Sequence, residues 1–188
     1  MLAVWIILGI VVILGIFFIA TYNGLVRLRN QVKNAWAQID VQLKRRYDLI
    51  PNLVETVKGY MTHERETLEA VTNARAAAQK VSQSGGAAAI GKAEGELSAA
   101  LSRLLVTVEA YPELKANQNF LALQEELTST ENKISFSRQY YNDSVLNYNN
   151  KIEMFPSNII ANMTGFKAGE FFETESPAER QAPKVSFS

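Results

Sequence analysis

Residues 47–60 read YDLIPNLVETVKGY and set a proline inside an otherwise regular amphipathic pattern. Whether Pro51 splits one helix into two decides how many long elements the chain has, and the flanking residues answer through their phase. Apolar side chains recur at Leu28, Val32, Trp36, Ile39, Leu43, Tyr47, Ile50, Val54, Val57, Met61, Leu68 and Val71, a period close to 3.6 that marks one face of a helix. The missing turn falls near Glu64. Because the stripe keeps its phase across Pro51, the pattern predicts one kinked helix from Asn23 to about Val81. Proline removes one N–H and crowds the carbonyl of Tyr47, at about 3 kcal/mol in an unsupported helix, so packing has to offset it. The competing reading is a break, with Asp48 capping a second helix that carries Pro51 in its first turn.

Upstream, LAVWIILGIVVILGIFFIA runs from Leu2 to Ala20 without a charged or strongly polar residue. As a helix it is about 28 Å long, close to the roughly 30 Å hydrocarbon core of a bilayer, and it reads as a membrane span. A cleaved signal peptide fits worse: no basic stretch precedes the run, the run exceeds a signal core, and Phe18-Ile19-Ala20 is not a small-x-small site. Arg27, Arg29 and Lys33 follow the span. They place the C-terminal side in the cytoplasm and the short N-terminus outside, and if the helix stands upright they, and not Arg45 and Arg46 further along it, are within reach of headgroups. Trp5 and Tyr22 mark the two interfaces.

Downstream, Ser82-Gln83-Ser84-Gly85-Gly86 is the strongest breaker cluster. A shorter helix follows through Leu97, Leu101, Leu104, Leu105 and Val108, ending before Tyr111-Pro112. After a turn through Ala116, Asn117 is a good N-cap for the clearest repeat of the chain: Phe120, Leu127, Ile134, Tyr141, Tyr148 and Phe155, each seven residues apart. The column four residues on holds Gln124, Glu131, Arg138, Val145 and Ile152, so the seam is half polar and suits a left-handed bundle. Beyond Pro156, Ile159, Ile160, Phe166, Phe171 and Phe172 require that part of the tail docks. Its last third reads as extended or disordered, with Val185 and Phe187 able to fill pockets.

Chemistry is sparse. The chain of 188 residues has 19 basic and 19 acidic side chains, one histidine and no cysteine. Balanced charge gives no pull toward nucleic acid, and the missing thiols exclude disulfides and thiolate metal sites. His63-Glu64-Arg65-Glu66 lacks the second histidine of a zinc helix, and an exposed helix position is the simpler reading of His63. No phosphate loop, dinucleotide fingerprint or nucleophile elbow occurs, so no catalytic, cofactor or metal residues are assigned. The candidates are polar seam positions. Arg45, Arg46, Asp48, Glu131 and Arg138 face one another if the first and last long helices run antiparallel, as a buried network or as a solvated face. Tyr141-Asn142 and Tyr148-Asn149 sit one heptad apart, the tyrosines suited to packing and the asparagines to water or a neighbouring chain.

QIDVQLKRRYDLIPNLVETVKGYMTHERETLEAVTNARA (38–76), EAYPELKANQNFLALQEELTSTENKISFSRQYYN (109–142) and APKVSF (182–187) together closely resemble the bacterial LemA family. The resemblance implies a membrane-anchored cytoplasmic bundle in the inner membrane. It also implies kinship with proteins of magnetosome membranes and association with membrane stress proteases, and it carries over no catalytic residues. The expected architecture is all-α: a transmembrane anchor (1–23), an antiparallel bundle of long helices with a short C-terminal helix (24–174), and an extended tail (175–188). A first helix of about 85 Å beside a second of about 37 Å leaves apolar surface uncovered. That surplus favours a homo-oligomeric scaffold in contact with membrane lipid over an adaptor for a membrane protease, and either over an enzyme.

Overall fold

The computed structural model describes residues 1–172. The segment 175–188, with Val185 and Phe187, lies outside the described residues. Within them the chain is all-α, without strands. The helices are α1 (Leu2–Lys58), α2 (Arg65–Ser84), α3 (Ala87–Val108), α4 (Pro112–Lys115), α5 (Gln118–Glu153) and α6 (Ser157–Met163).

Helix α1 passes through Pro51 without interruption, so the phase argument holds there and the break after Asp48 does not occur. The expectation of a helix reaching Val81 fails further on. α1 stops at Lys58, and the N–H groups of Tyr60 and Met61 both donate to the carbonyl of Val57 at 2.9 Å. Gly59 is a poor helix former, by about 1 kcal/mol against alanine, and the Glu64 gap leaves that turn little to bury. Met61 is nevertheless buried. The stripe keeps its phase because α1 and α2 deliver their apolar faces to one core from either side of a reversal. The reversal also removes the surplus length. Beyond the span α1 extends about 54 Å, and the 36 residues of α5 give the same length.

The chain forms two compact units. One comprises residues 41–135 with Phe171 and Phe172. Its contacts fix the helix directions. Arg46 meets Glu94 and Glu131, whereas further along α1's path Glu64 accepts from the Tyr111 hydroxyl and the Tyr60 hydroxyl accepts from Asn117. α3 therefore runs with α1 and α5 runs against it. α2 runs back between them, bringing Arg75 to Tyr47. This is an up-down-up-down bundle, with Leu43, Ile50, Leu53, Val57, Val71, Ile90, Leu97, Leu104 and Phe120 in its core. Asn117 caps α5 as expected, its Oδ1 accepting the Phe120 N–H at 3.1 Å.

The other unit comprises residues 1–40 and 136–170. Trp36 stacks edge-on to Tyr141 at 5.2 Å, and Leu25 lies in one cluster with Tyr148, Ile152, Ile160, Ala161 and Phe166. Residue numbers fall on α1 as they rise on α5, so this pair is also antiparallel. The heptad column ends at Tyr148: Phe155 is exposed because α5 terminates at Glu153, before the column reaches it. α6 closes with Gly165 at φ 75°. There the N–H of Phe166 donates to the Ala161 carbonyl at 3.0 Å and that of Gly165 to Asn162 at 3.4 Å. This Schellman turn aims Phe166 into the cluster.

Candidate functional site

The most concentrated chemistry lies inside the bundle formed by residues 41–135. Arg46 enters from α1 with its side chain 3% exposed. Its Nη1 lies 3.1 Å from Glu94 Oε2 and 3.1 Å from Glu131 Oε2, and its Nη2 donates to Ser98 Oγ at 2.7 Å. Glu94 and Ser98 are one turn apart on α3, so they present to the same guanidinium. The Tyr47 hydroxyl donates to the other oxygen of Glu94. Burial pushes the Glu94 carboxyl above its usual range, only partly countered by Tyr47 and Arg46. Burial, then the Glu94 carboxylate, pushes the Tyr47 hydroxyl up.

Pro51 belongs to the same locality through the backbone. Without an N–H it leaves the carbonyl of Tyr47 unclaimed within α1, and Arg75 Nε of α2 donates to that carbonyl at 2.7 Å. A missing helix bond thereby becomes an interhelical one. The proline ring itself is exposed, so its structural effect is the carbonyl it frees.

Of the candidate network, Arg46 and Glu131 meet. Arg45 pairs with Glu126 in the open, both side chains about half exposed, and Asp48 is exposed. Arg138 lies half-buried in the unit of residues 136–170. Glu94, Ser98 and Arg75 were missed. Glu94 had a signal, since it occupies the apolar phase between Ile90 and Leu97; Arg75 had none, because its partner is a backbone carbonyl.

Tyr141 donates to the Glu170 carbonyl at 2.8 Å. Asn149, expected to reach water or another chain, instead grips Gly169. Its Nδ2 donates to that residue's carbonyl at 3.0 Å, and its Oδ1 accepts the Gly169 N–H at 2.7 Å. Tyr148 packs edge-on to Phe166 at 6.5 Å. Arg27 and Lys33 are exposed, as is Arg29, whose guanidinium stands 5.1 Å over the Phe166 ring.

Chemically the cluster is a lock. One guanidinium bridges two carboxylates and a hydroxyl across three helices, an arrangement in which desolvation offsets much of the attraction while loss of one partner is costly. Among the described residues no group of three or more histidine, aspartate or glutamate side chains is placed to hold a metal ion. An open cleft of about 650 Å³ lies at the α1–α2 reversal, floored by Val54, Met61 and Leu68 and rimmed by Glu55, Lys58, Arg65 and Glu69.

A chain whose first helix is long and apolar enough to cross a membrane, continued into charge-locked helices, is a membrane-associated all-α protein. It belongs to the LemA family, whose family model matches residues 35–187. It is similar to the magnetosome protein MamQ 2 of Paramagnetospirillum magneticum, with 28% identity over 86% of this chain and 69% of that protein. The protein LemA of Metamycoplasma hominis is 27% identical over 87% of this chain and 78% of its own length. For the magnetosome protein MamQ of Magnetospirillum gryphiswaldense the identity is 27%, over 91% and 72%.

Proposed function

We propose that the chain is a non-enzymatic, membrane-anchored scaffold that self-associates at the cytoplasmic face of the bacterial inner membrane and organises membrane or partner proteins there. The observation that carries this reading is a bare aromatic ridge on α5. Phe136 and Tyr140, one turn apart, are 73% and 41% exposed. A tethered chain meets its copies at high effective concentration, so a small apolar contact suffices for lateral association. The relatives named as magnetosome proteins support a role at a membrane, and the balanced charge of 19 against 19 gives no reason to invoke nucleic acid.

Cross-linking of the full-length protein in lipid, at membrane-like densities, tests it. The parent chain is expected to give species above the monomer, and Phe136→Glu to reduce them while helix content stays unchanged. A strictly monomeric parent overturns the scaffold. The second reading, an adaptor for a membrane stress protease, is favoured by the cleft at the α1–α2 reversal, whose apolar floor and charged rim suit a peptide segment.

A further inference from the structure

Five residues after the apolar run, about 7.5 Å along the helix, Leu25 is fully buried in the cluster with Ile152, Ile160, Ala161 and Phe166. The cover begins earlier still. Thr21, directly after Ala20, is only 7% exposed, and the Tyr22 ring meets Phe166 edge-on at 5.8 Å. The end of α5 and the whole of α6 therefore sit beside the mouth of the span, within a single compact unit.

On that corner four large apolar side chains face outward, beside the exposed Glu153 and Asn162. Met154 is 63% exposed, Phe155 79%, Ile159 52% and Met163 73%. Ile159 and Met163 are one turn apart on α6, while Ser157, Ile160 and Ala161 turn inward. The single Ser157 hydroxyl proton is shared between the carbonyls of Lys151 at 2.7 Å and Met154 at 2.8 Å. Residues 21–33 and 151–168 carry Arg27, Arg29, Lys33, Lys151 and Lys167 against Glu153. Large exposed apolar groups in segments of net basic charge, at the level where a helix leaves the bilayer, have the composition of an interfacial membrane contact.

We infer that the α5–α6 corner is a second membrane contact, a foot that inserts Met154, Phe155, Ile159 and Met163 into the headgroup and acyl boundary beside the span. The occupant is the lipid surface that α1 itself crosses, because Tyr22 and Leu25 tie the corner to the end of the span and the net basic charge of these segments complements anionic headgroups. Interfacial apolar faces of this kind enter by about 5–10 Å. The foot rests on the reading of Leu2–Ala20 as a membrane span and adds a contact that the span alone does not require.

The native chain has no cysteine, so single spin labels can be placed without background. Full-length Phe155→Cys, Met163→Cys, Ser102→Cys and Ile10→Cys, each labelled and reconstituted in vesicles of neutral and anionic phospholipid, are compared by accessibility to oxygen and to a water-soluble nickel chelate. Oxygen concentrates in the acyl region and the chelate is excluded from it. Ser102, exposed on α3 one turn past Ser98, serves as the aqueous control, and Ile10 reports the span. The expected result is an oxygen-to-nickel ratio several-fold higher at Phe155 and Met163 than at Ser102, and highest at Ile10. If Ile10 reports lipid while Phe155 and Met163 match Ser102, the foot is refuted and the anchor stands. Dipolar coupling between labels, with both reagents excluded, assigns the corner to a second copy and also refutes it. An aqueous Ile10 overturns the span and the foot together.

Discussion

Replacing Arg46 by methionine preserves most of the side-chain bulk and removes the guanidinium that the buried Glu94 contacts at 3.1 Å. The two carboxylates respond differently. Glu131, half exposed, regains water at little cost, but Glu94 is 3% exposed and keeps only the Tyr47 hydroxyl. Stripping a buried charge of its partner costs about 3–5 kcal/mol, and neutralisation sets a ceiling. Holding a carboxyl protonated at about pH 7 against an ordinary value near 4.3 costs about 3.7 kcal/mol, and the ceiling falls by about 1.4 kcal/mol per pH unit, to about 1 kcal/mol at about pH 5. The sign follows from the raised folded-state value. Stability from the protonated group is present below the unfolded value and lost as pH rises through the folded one. Urea unfolding of the full-length protein in mild detergent, followed by far-UV circular dichroism, should therefore show Arg46→Met about 3 kcal/mol less stable than the parent near pH 7. The deficit should narrow to about 1 kcal/mol near pH 5. Adding Glu94→Leu and Tyr47→Phe, which removes the stranded polar groups, should recover most of the loss. A deficit below about 1 kcal/mol at neutral pH, or one that does not change with pH, would refute the account of Glu94 as a buried charge held by Arg46.

Arg75→Ala should cost about 1–3 kcal/mol in the parent by orphaning the Tyr47 carbonyl. In a Pro51→Ala background, where residue 51 has an N–H to offer, it should cost markedly less; equal costs in the two backgrounds would show that Pro51 and Arg75 are not coupled through that carbonyl. Asn149→Leu removes both hydrogen bonds to Gly169 and should destabilise the unit by about 1–3 kcal/mol, with hydrogen exchange at Gly169 rising before that of α5; unchanged exchange would count against the clamp. A topology reporter fused after Ser188 should read cytoplasmic, and an external signal from an intact fusion would reverse the orientation inferred from Arg27, Arg29 and Lys33.

Phase and caps carried most of the fold. The stripe from Leu28 to Val57 and the Asn117 cap follow from local rules that tertiary packing did not override. The α1–α2 reversal was not legible, because a stripe that stays in phase through a turn looks the same as a stripe that stays helical. Gly59 is a weak breaker without a second signal beside it. The site was half legible. Arg46 and Glu131 stand out as charges near an apolar seam, and Pro51 points to the Tyr47 carbonyl. Glu94 required noticing an acid in apolar phase, and Arg75 required the folded bundle, since any polar side chain at the right height could have met that carbonyl.

The anchor and the corner beside it are parts of one compact unit, and this constrains how the protein meets its membrane. α1 leaves the apolar run at Ala20 and is already buried at Thr21, without a linker in between. A tilt or rotation of the span must therefore carry Leu25, and with it Ile152, Ile160 and Phe166. A free span could choose its tilt to suit bilayer thickness at a cost of fractions of a kcal/mol per Å of mismatch. A span welded to an apolar corner has fewer choices, because turning one way lifts Phe155 and Met163 into water and turning the other buries the adjacent basic side chains. For a lateral scaffold such a restriction is useful. On the proposed reading, copies held at one tilt and one rotation would present Phe136 and Tyr140 at the same height and facing, and association would become a search in the plane of the membrane and not in three dimensions.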